Sequence, residues 1–134
     1  MSSKTRITVW IGRGLTALIA LAMTFSAAMK VANPPGFSEQ WVDKFGYPAN
    51  LALAIGIVEI TCVIIYLIPQ TAILGCVLLT GYLGGAIATH VRVNDGFVPV
   101  IVIGVLVWLA LYLRDERLRE LLPIRKPKPN PSND

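Results

Sequence analysis

The sequence predicts an all-α fold, a bundle of four transmembrane helices, and three observations support this. Of the 134 residues, 54% are hydrophobic and only 15% are charged. The mean hydropathy is +0.63. The charged residues are concentrated at the two ends and in two short stretches between long apolar runs. Too little polar surface remains to cover a soluble globule, so the composition excludes a soluble enzyme and a disordered chain.

The apolar runs divide into four segments of about 20 residues, which is the length that a membrane helix needs. The predicted spans are residues 8–30, 49–68, 71–91 and 97–114. Pro69 and Gln70 separate the second span from the third. Each span must be a helix because hydrocarbon leaves unpaired backbone groups unsatisfied. Residues 1–122 are therefore predicted to form one membrane domain, followed by a basic, proline-rich and disordered tail, residues 123–134.

The distribution of basic residues predicts the orientation of these spans. Nine of the twelve Lys and Arg residues lie on the side of the two chain ends, and Lys30, Lys44 and Arg92 lie on the other. The positive-inside rule then places both termini, with the tail, in the cytoplasm. This orientation also explains the net charge of +4. The basic residues form no single patch, so nucleic-acid binding is not predicted.

The first span has an alternative interpretation as a cleaved signal peptide, residues 1–28. A basic start and an apolar stretch precede the small residues Ser26 and Ala28, as in secretory signals. Its removal would leave three spans with the orientation of the rest unchanged.

The loop between the first two spans is predicted to contain a short amphipathic helix on the outer membrane surface. Phe37, Trp41 and Phe45 recur every four residues, which places them on one helical face. Ser38 is a candidate N-cap and Gly46 a candidate stop.

Glu59 lies within the second predicted span, where an ionised carboxylate needs a partner or a proton. At about 1.5 Å per residue, Arg13 and Tyr82 come to depths from which both could reach Glu59. We therefore predict a buried polar cluster of Arg13, Glu59 and Tyr82. Three interpretations stay open: the cluster locks helices in register, Glu59 exchanges protons or binds a polar headgroup, or a protonated Glu59 faces lipid.

Three basic side chains, Lys30, His90 and Arg92, fall near the outer end of the spans. They could form a rim around a mouth that leads inward to Glu59 and binds an anionic or quinone-like headgroup. Alternatively, Lys30 and Arg92 extend to the interface and His90 caps a helix end.

The remaining reactive residues give little support for catalysis. Cys62 and Cys76 come to similar depths on adjacent spans, but they lie in apolar runs and are better explained as core residues than as a working dithiol. A single histidine excludes a multi-histidine metal or haem site, so no metal is predicted. No carboxylate pair or catalytic triad lies near the spans, and self-contained catalysis is not expected.

Several short motifs follow one another in a fixed order between residues 6 and 122. They are Arg13, Lys30, Phe45-Gly46-Tyr47-Pro48, Gly56-Ile57-Val58-Glu59, Leu67-Ile68-Pro69, Leu74-Gly75, Gly84-Gly85-Ala86-Ile87-Ala88-Thr89-His90 and Tyr112-Leu113-Arg114-Asp115. In this order they resemble the DoxX-like family of small bacterial membrane proteins. The resemblance implies a four-helix bundle in the bacterial cytoplasmic (inner) membrane.

The resemblance also implies candidate partners and a candidate cofactor for this chain. Some family members are associated with membrane oxidoreductases, including a thiosulfate:quinone oxidoreductase subunit, and Arg13, Lys30, Glu59 and His90 are the positions that match. We therefore expect an auxiliary or non-catalytic membrane subunit linked to quinone or thiol redox systems, with quinone as the candidate cofactor. The expected partners are the lipid bilayer, a membrane oxidoreductase and further copies of the chain.

Two alternatives from other functional classes stay open. One is a small proton-coupled or anion carrier or channel in which Glu59 titrates and oligomerisation completes the pathway. The other is a redox enzyme that acts directly on quinone.

Overall fold

The computed structural model describes residues 2–122, and within them all regular secondary structure is helical. The four long helices are α1, α3, α4 and α5, at Ser3–Ala32, Leu51–Leu67, Ala72–Arg92 and Val98–Arg114. Between α1 and α3, the short helix α2 combines an α-helical turn, Phe37–Glu39, with a π-helical turn, Gln40–Lys44. Helix α6, Glu116–Leu121, follows α5. The all-α prediction is confirmed, and the tail predicted to be disordered, residues 123–134, lies outside the described residues.

Helix α1 extends beyond both ends of its predicted segment because both ends are capped. The Ser2 side chain accepts a hydrogen bond from the Thr5 backbone N–H, which satisfies a free donor in the first turn. At the other end, Asn33 adopts a left-handed conformation with φ of 46° and donates its N–H to the Met29 carbonyl. The bounds of α3, α4 and α5 lie within two residues of the predicted segments.

Two of the helices, α1 and α4, are long and apolar enough to cross a membrane by length and composition. Helices α3 and α5 are also apolar, with 17 residues each.

The four long helices form a closed ring, in which α1 and α4 each contact both α3 and α5. We call the end with α2 the cap end, and the end with the chain termini and the α3–α4 turn the termini end. The densest packing is in the termini half. The side chains that are fully buried there are those of Tyr66, Ala72, Cys76, Leu79, Val107, Ala110 and Leu111.

Close helix contacts in the termini half depend on two glycines. A Cβ added at Gly75 would overlap the Tyr66 backbone, and one at Gly12 would lie 2.8 Å from the Ala110 carbonyl oxygen. Helix α4 therefore packs directly on the α3 backbone, and α1 on that of α5. The termini half has no room for a cavity at these crossings.

Arginines after α5 fasten the chain end to the α3–α4 turn. Arg114 donates a 2.9 Å hydrogen bond to the Tyr66 carbonyl, and its guanidinium lies 5.0 Å from the centre of the Tyr66 ring. Arg117 donates to the Pro69 carbonyl and forms a 2.7 Å ion pair with Asp115, which caps α6. Hydrogen bonding by Arg117 lowers the pKa of Asp115 below its usual value.

Candidate functional site

A cavity of about 690 Å³ occupies the cap half of the ring, between the four long helices and beneath α2. Met23 and Leu83, which also belong to the packed core, lie at its inner limit. The wall is mainly apolar. The polar and aromatic side chains that line it are Ser26, Lys30, Phe37, Gln40, Trp41, Phe45, Tyr47, Glu59, Tyr82, Thr89 and His90.

Glu59 is buried in the cavity wall and forms an ion pair with Lys30. Its residue surface is 2% exposed, and its Oε2 atom lies 2.8 Å from Lys30 Nζ. Ser26 bridges the pair, since its hydroxyl accepts a 2.6 Å hydrogen bond from Lys30 and donates a 3.4 Å bond to the same carboxylate oxygen. This burial excludes the interpretation in which Glu59 faces lipid.

Gly56 explains why Lys30 reaches Glu59. It lies one turn before Glu59 on α3, and a Cβ at this position would come 3.0 Å from Lys30 Cβ and 3.1 Å from the Ala27 carbonyl oxygen. Helix α1 can therefore approach α3 closely at this level, with Lys30 directly above the carboxylate.

Tyr82 is a donor beside the Glu59 carboxylate, but Lys30 and Ser26 both contact Oε2, and neither of them contacts the second oxygen, Oε1. It is not one of the fully enclosed unpartnered atoms of the described chain, so it retains accessible surface. Glu59 therefore presents one carboxylate oxygen to the cavity.

Tyr82 lines the same cavity as Glu59, and its side chain lies near the Glu59 carboxylate. The pairing of Tyr66 with Gly75 across the α3–α4 contact sets the register of these antiparallel helices, and it places Tyr82 level with Glu59. Tyr82 and Glu59 therefore lie at the same level of the cavity wall.

Arg13 does not belong to this cluster, which corrects the sequence-based prediction. Its side chain is exposed, and its guanidinium lies 5.1 Å from the centre of the Trp10 ring. The buried face of α1 passes through Gly12, Thr16, Ile19, Met23 and Ala27. Arg13 follows Gly12 by one residue, which turns it about 100° away from that face. Depth alone is compatible with a contact, but the rotation of α1 about its axis directs the Arg13 side chain away from Glu59.

At the mouth of the cavity, His90 is part of a small hydrogen-bonded network with Asp95 and Lys44. Its Nδ1 atom lies 3.1 Å from Asp95 Oδ2, and Lys44 Nζ lies 3.0 Å from the same oxygen. The Phe45 ring packs edge-on against the imidazole at 5.4 Å. The hydrogen bond from Lys44 is the main reason why the pKa of Asp95 lies below its usual value. This network links α2 to the loop between α4 and α5.

Arg92 has a different role from the other two predicted rim residues, because it does not line the cavity. Its guanidinium donates to the Phe45 carbonyl and lies 5.7 Å from the centre of the Tyr47 ring. Tyr47 is also joined to Thr89 by a 2.7 Å hydrogen bond between their hydroxyls. Arg92 and Thr89 therefore hold the segment after α2 against the end of α4.

The segment Phe37–Tyr47, which we call the cap segment, covers the mouth with aromatic rings. Trp41 is 7% exposed and packs against Phe37, Phe45 and Tyr47 at centroid distances of 5.8, 6.1 and 5.3 Å. The short helix predicted in this loop is present. It begins after Gly36 rather than at Ser38, whose hydroxyl instead donates to Asn33 Oδ1.

Glycines on α4 create much of the open space. A Cβ added at Gly81 or Gly85 would meet no atom within 4 Å, and both residues line the cavity. Gly84 is equally unobstructed but lines a separate groove between α4 and α5.

The cavity extends to the exterior of the helix ring at Phe25. This residue lines the cavity, yet it is 69% exposed. It lies seven residues before the end of α1, or about 10 Å below the cap end.

The two cysteines lie in the core beyond the cavity. Cys62 and Cys76 are both buried and free. Within residues 2–122, no three His, Cys, Asp or Glu side chains are grouped as ligands for a metal ion.

Sequence reasoning missed two members of the site, Ser26 and Asp95, and assigned Lys30 to the rim alone. The spacing of Ser26 and Lys30, one helical turn apart, is a signal that could have linked them. The position of Asp95 between His90 and a basic cap segment could not be read from the sequence, because the folding of that segment over the mouth is a tertiary contact.

Comparisons with known proteins agree with the resemblance of the motifs. No curated protein and no solved structure matches this chain significantly. The model of the DoxX-like family matches residues 14–113, about three quarters of the chain and all but the termini of the helix ring. The chain therefore belongs to the DoxX-like family of membrane proteins.

Proposed function

We propose that this protein is a non-catalytic membrane subunit that binds a neutral, lipid-soluble aromatic molecule of the quinone and quinol class for an oxidoreductase partner. The observation that carries this proposal is the Lys30–Glu59 ion pair in the wall of an apolar cavity that reaches the lipid-facing surface. The proposal includes four membrane spans, with both termini in the cytoplasm.

The dimensions of the helices support the four spans. Helices α3 and α5 have 17 residues each, which corresponds to about 25 Å and lies at the lower limit for a span. The distribution of Lys and Arg supports the orientation. Cleavage after residue 28 would remove Ser26 from the ion pair, so the geometry favours a retained first span over a signal peptide.

A neutral ligand is favoured because the charges around the cavity are already paired. Lys30 is matched by Glu59, and Lys44 is matched by Asp95. Little uncompensated positive charge remains to select an anion, contrary to the expectation of a basic rim that binds an anionic headgroup.

An aromatic ligand is favoured by the shape and chemistry of the cap segment. The rings of Trp41, Phe45 and Tyr47 cover a mainly apolar space, and such surfaces bind planar rings through stacked or edge-on contacts. The opening at Phe25 lets such a molecule enter from the bilayer.

Binding is favoured over transport because the cavity ends halfway through the ring. Beyond Met23 and Leu83 lies the packed core, in which Tyr66 is fully buried and donates to the Val107 carbonyl at 2.8 Å. A carrier that uses Glu59 would need this core to open. Such a carrier predicts a proton flux in proteoliposomes after a pH jump, and Glu59→Gln would abolish that flux.

The test is purification of the protein from native membranes, followed by mass spectrometry of the bound lipids and proteins. We expect a stoichiometric quinone and an oxidoreductase partner with the wild type. Glu59→Gln should retain less of this ligand, because it removes the charged acceptor from the cavity wall, whereas the matched variant Glu39→Gln should keep the wild-type amount, because Glu39 is exposed on α2. Loss from both variants, or absence of any quinone from the wild type, would contradict the proposal.

A further inference from the structure

We infer that the cavity recognises a hydrogen-bond donor, so that it binds the reduced, dihydroxy form of its ligand more tightly than the oxidised dione. This inference rests on the proposed function and specifies the chemical form that the same site selects. It follows from counting the donors and acceptors that remain free around the cavity.

The Lys30 ammonium has three N–H donors, and the structure provides three acceptors for them. These are Glu59 Oε2 at 2.8 Å, the Ser26 hydroxyl at 2.6 Å and the Ser26 carbonyl at 3.4 Å. Lys30 therefore has no proton left for a ligand carbonyl.

The other donors of the wall are engaged in the same way. The Ser26 hydroxyl donates to Glu59, the Thr89 hydroxyl donates to the Gly85 carbonyl at 2.9 Å, and Tyr47 donates to Thr89 in turn. Trp41 Nε1 donates to the Pro48 carbonyl at 3.2 Å, which directs its N–H away from the cavity.

The free group deep in the cavity is an acceptor. Glu59 Oε1 contacts neither Lys30 nor Ser26 and retains accessible surface in the cavity wall. His90 lies at the mouth, about 12 Å from the level of Glu59, and its Nδ1 atom is already engaged with Asp95.

Two amphoteric groups, Tyr82 and Gln40, do not change this selection. The Tyr82 hydroxyl lies beside Glu59 and can donate to that carboxylate or to a ligand, or accept from a ligand, so it serves either form. The Gln40 amide also has both functions, and Gln40 is exposed on α2. A cationic donor such as an amine is disfavoured because Lys30 lies beside the acceptor oxygen.

A quinol hydroxyl satisfies Glu59 Oε1, whereas a quinone carbonyl places a second acceptor against a carboxylate. A hydrogen bond to a charged group corresponds to about a 10- to 100-fold difference in affinity. We expect the reduced form to bind more tightly by this factor.

The experiment uses the full chain in nanodiscs, with Trp10→Phe and Trp108→Phe so that Trp41 is the fluorophore in the cavity. A short-chain ubiquinol analogue and its oxidised form are titrated anaerobically, and dissociation constants are compared because the two forms quench to different extents. The dimethyl ether of the quinol, which keeps the ring but lacks both donors, is the redox-inert control.

We expect the quinol to bind about 10- to 100-fold more tightly than the dione and the ether. In Glu59→Gln, whose amide offers both donor and acceptor, this preference should collapse. Equal affinities, or tighter binding of the dione, would overturn the inference and leave the proposed function intact. If no form binds, both the inference and the proposed function fail.

Discussion

Lys30 Nζ lies 2.8 Å from Glu59 Oε2, and this ion pair joins α1 to α3 across 29 residues of sequence. The two side chains are 12% and 2% exposed. The electrostatic attraction within a buried ion pair is largely offset by the free energy of removing both charges from water. The presence of the pair is therefore weak evidence of a role in stability alone. Removal of one partner is costly, because the other charge is then left alone.

This asymmetry predicts the behaviour of the pair in a double-mutant cycle. Glu59→Leu should lower the free energy of unfolding by about 3 kcal/mol, because the Lys30 charge loses its partner. Adding Lys30→Met should recover much of this loss. The measurement is reversible denaturation in detergent micelles. If the double variant shows the sum of the two single effects, the residues are not coupled.

The close contact between α3 and α4 predicts a difference between two glycines of α4. Gly75→Ala should destabilise the protein by several kcal/mol, because its methyl group would overlap the Tyr66 backbone. Gly84→Ala meets open space and should be neutral, or stabilising by up to about 1 kcal/mol from helix propensity. Thermal unfolding of both variants checks this, and equal melting temperatures would show that α4 does not pack as described.

The contact between Asp95 and Lys44 predicts that the cap segment is released from the end of α4 at acid pH. The folded-state pKa of Asp95 is lowered, chiefly by the hydrogen bond from Lys44. The attachment should be complete above the unfolded pKa of 3.8 and be lost as the pH falls through the lower folded value. Asp95→Asn should raise hydrogen exchange in residues 37–47 already at neutral pH. Unchanged exchange in that segment would show that Lys44 and His90 do not hold it.

A substitution of Arg13 distinguishes its exposed position in the structure from the position beside Glu59 that depth alone predicts. Arg13→Gln should change stability by no more than about 0.5 kcal/mol, because the side chain is exposed and contacts Trp10. Quinone retention should also be unchanged. A loss of retention similar to that of Glu59→Gln would place Arg13 in the site after all.

The helices themselves could be predicted from the sequence because apolar length and flanking charges determine them locally. The sequence also indicates the burial of Glu59, because the small residue Gly56 shares its helical face and lets another helix pack there. The cation that pairs with Glu59 could not be predicted, because depth alone favours Arg13 and places Lys30 at the outer rim. Only the rotation of α1 about its axis distinguishes them, and tertiary packing sets that rotation.

The position of the cap segment shows a similar limit. Aromatic residues every four positions predict a helix with one apolar face, and that face could lie on lipid or on protein. In the structure this face lies on the protein. The contacts of Arg92 and Lys44 with groups distant in sequence hold Phe45 and Trp41 over the cavity.

The most direct test of ligand binding in the cavity compares two adjacent glycines on α4. Leucine at either position meets no atom at its Cβ, but Gly85→Leu would fill the cavity and Gly84→Leu would fill the separate groove. The measurement is the amount of quinone that copurifies with each folded variant from native membranes. We expect Gly84→Leu to retain the wild-type amount and Gly85→Leu to lose it. Retention by Gly85→Leu would contradict a ligand site between Glu59 and the cap segment.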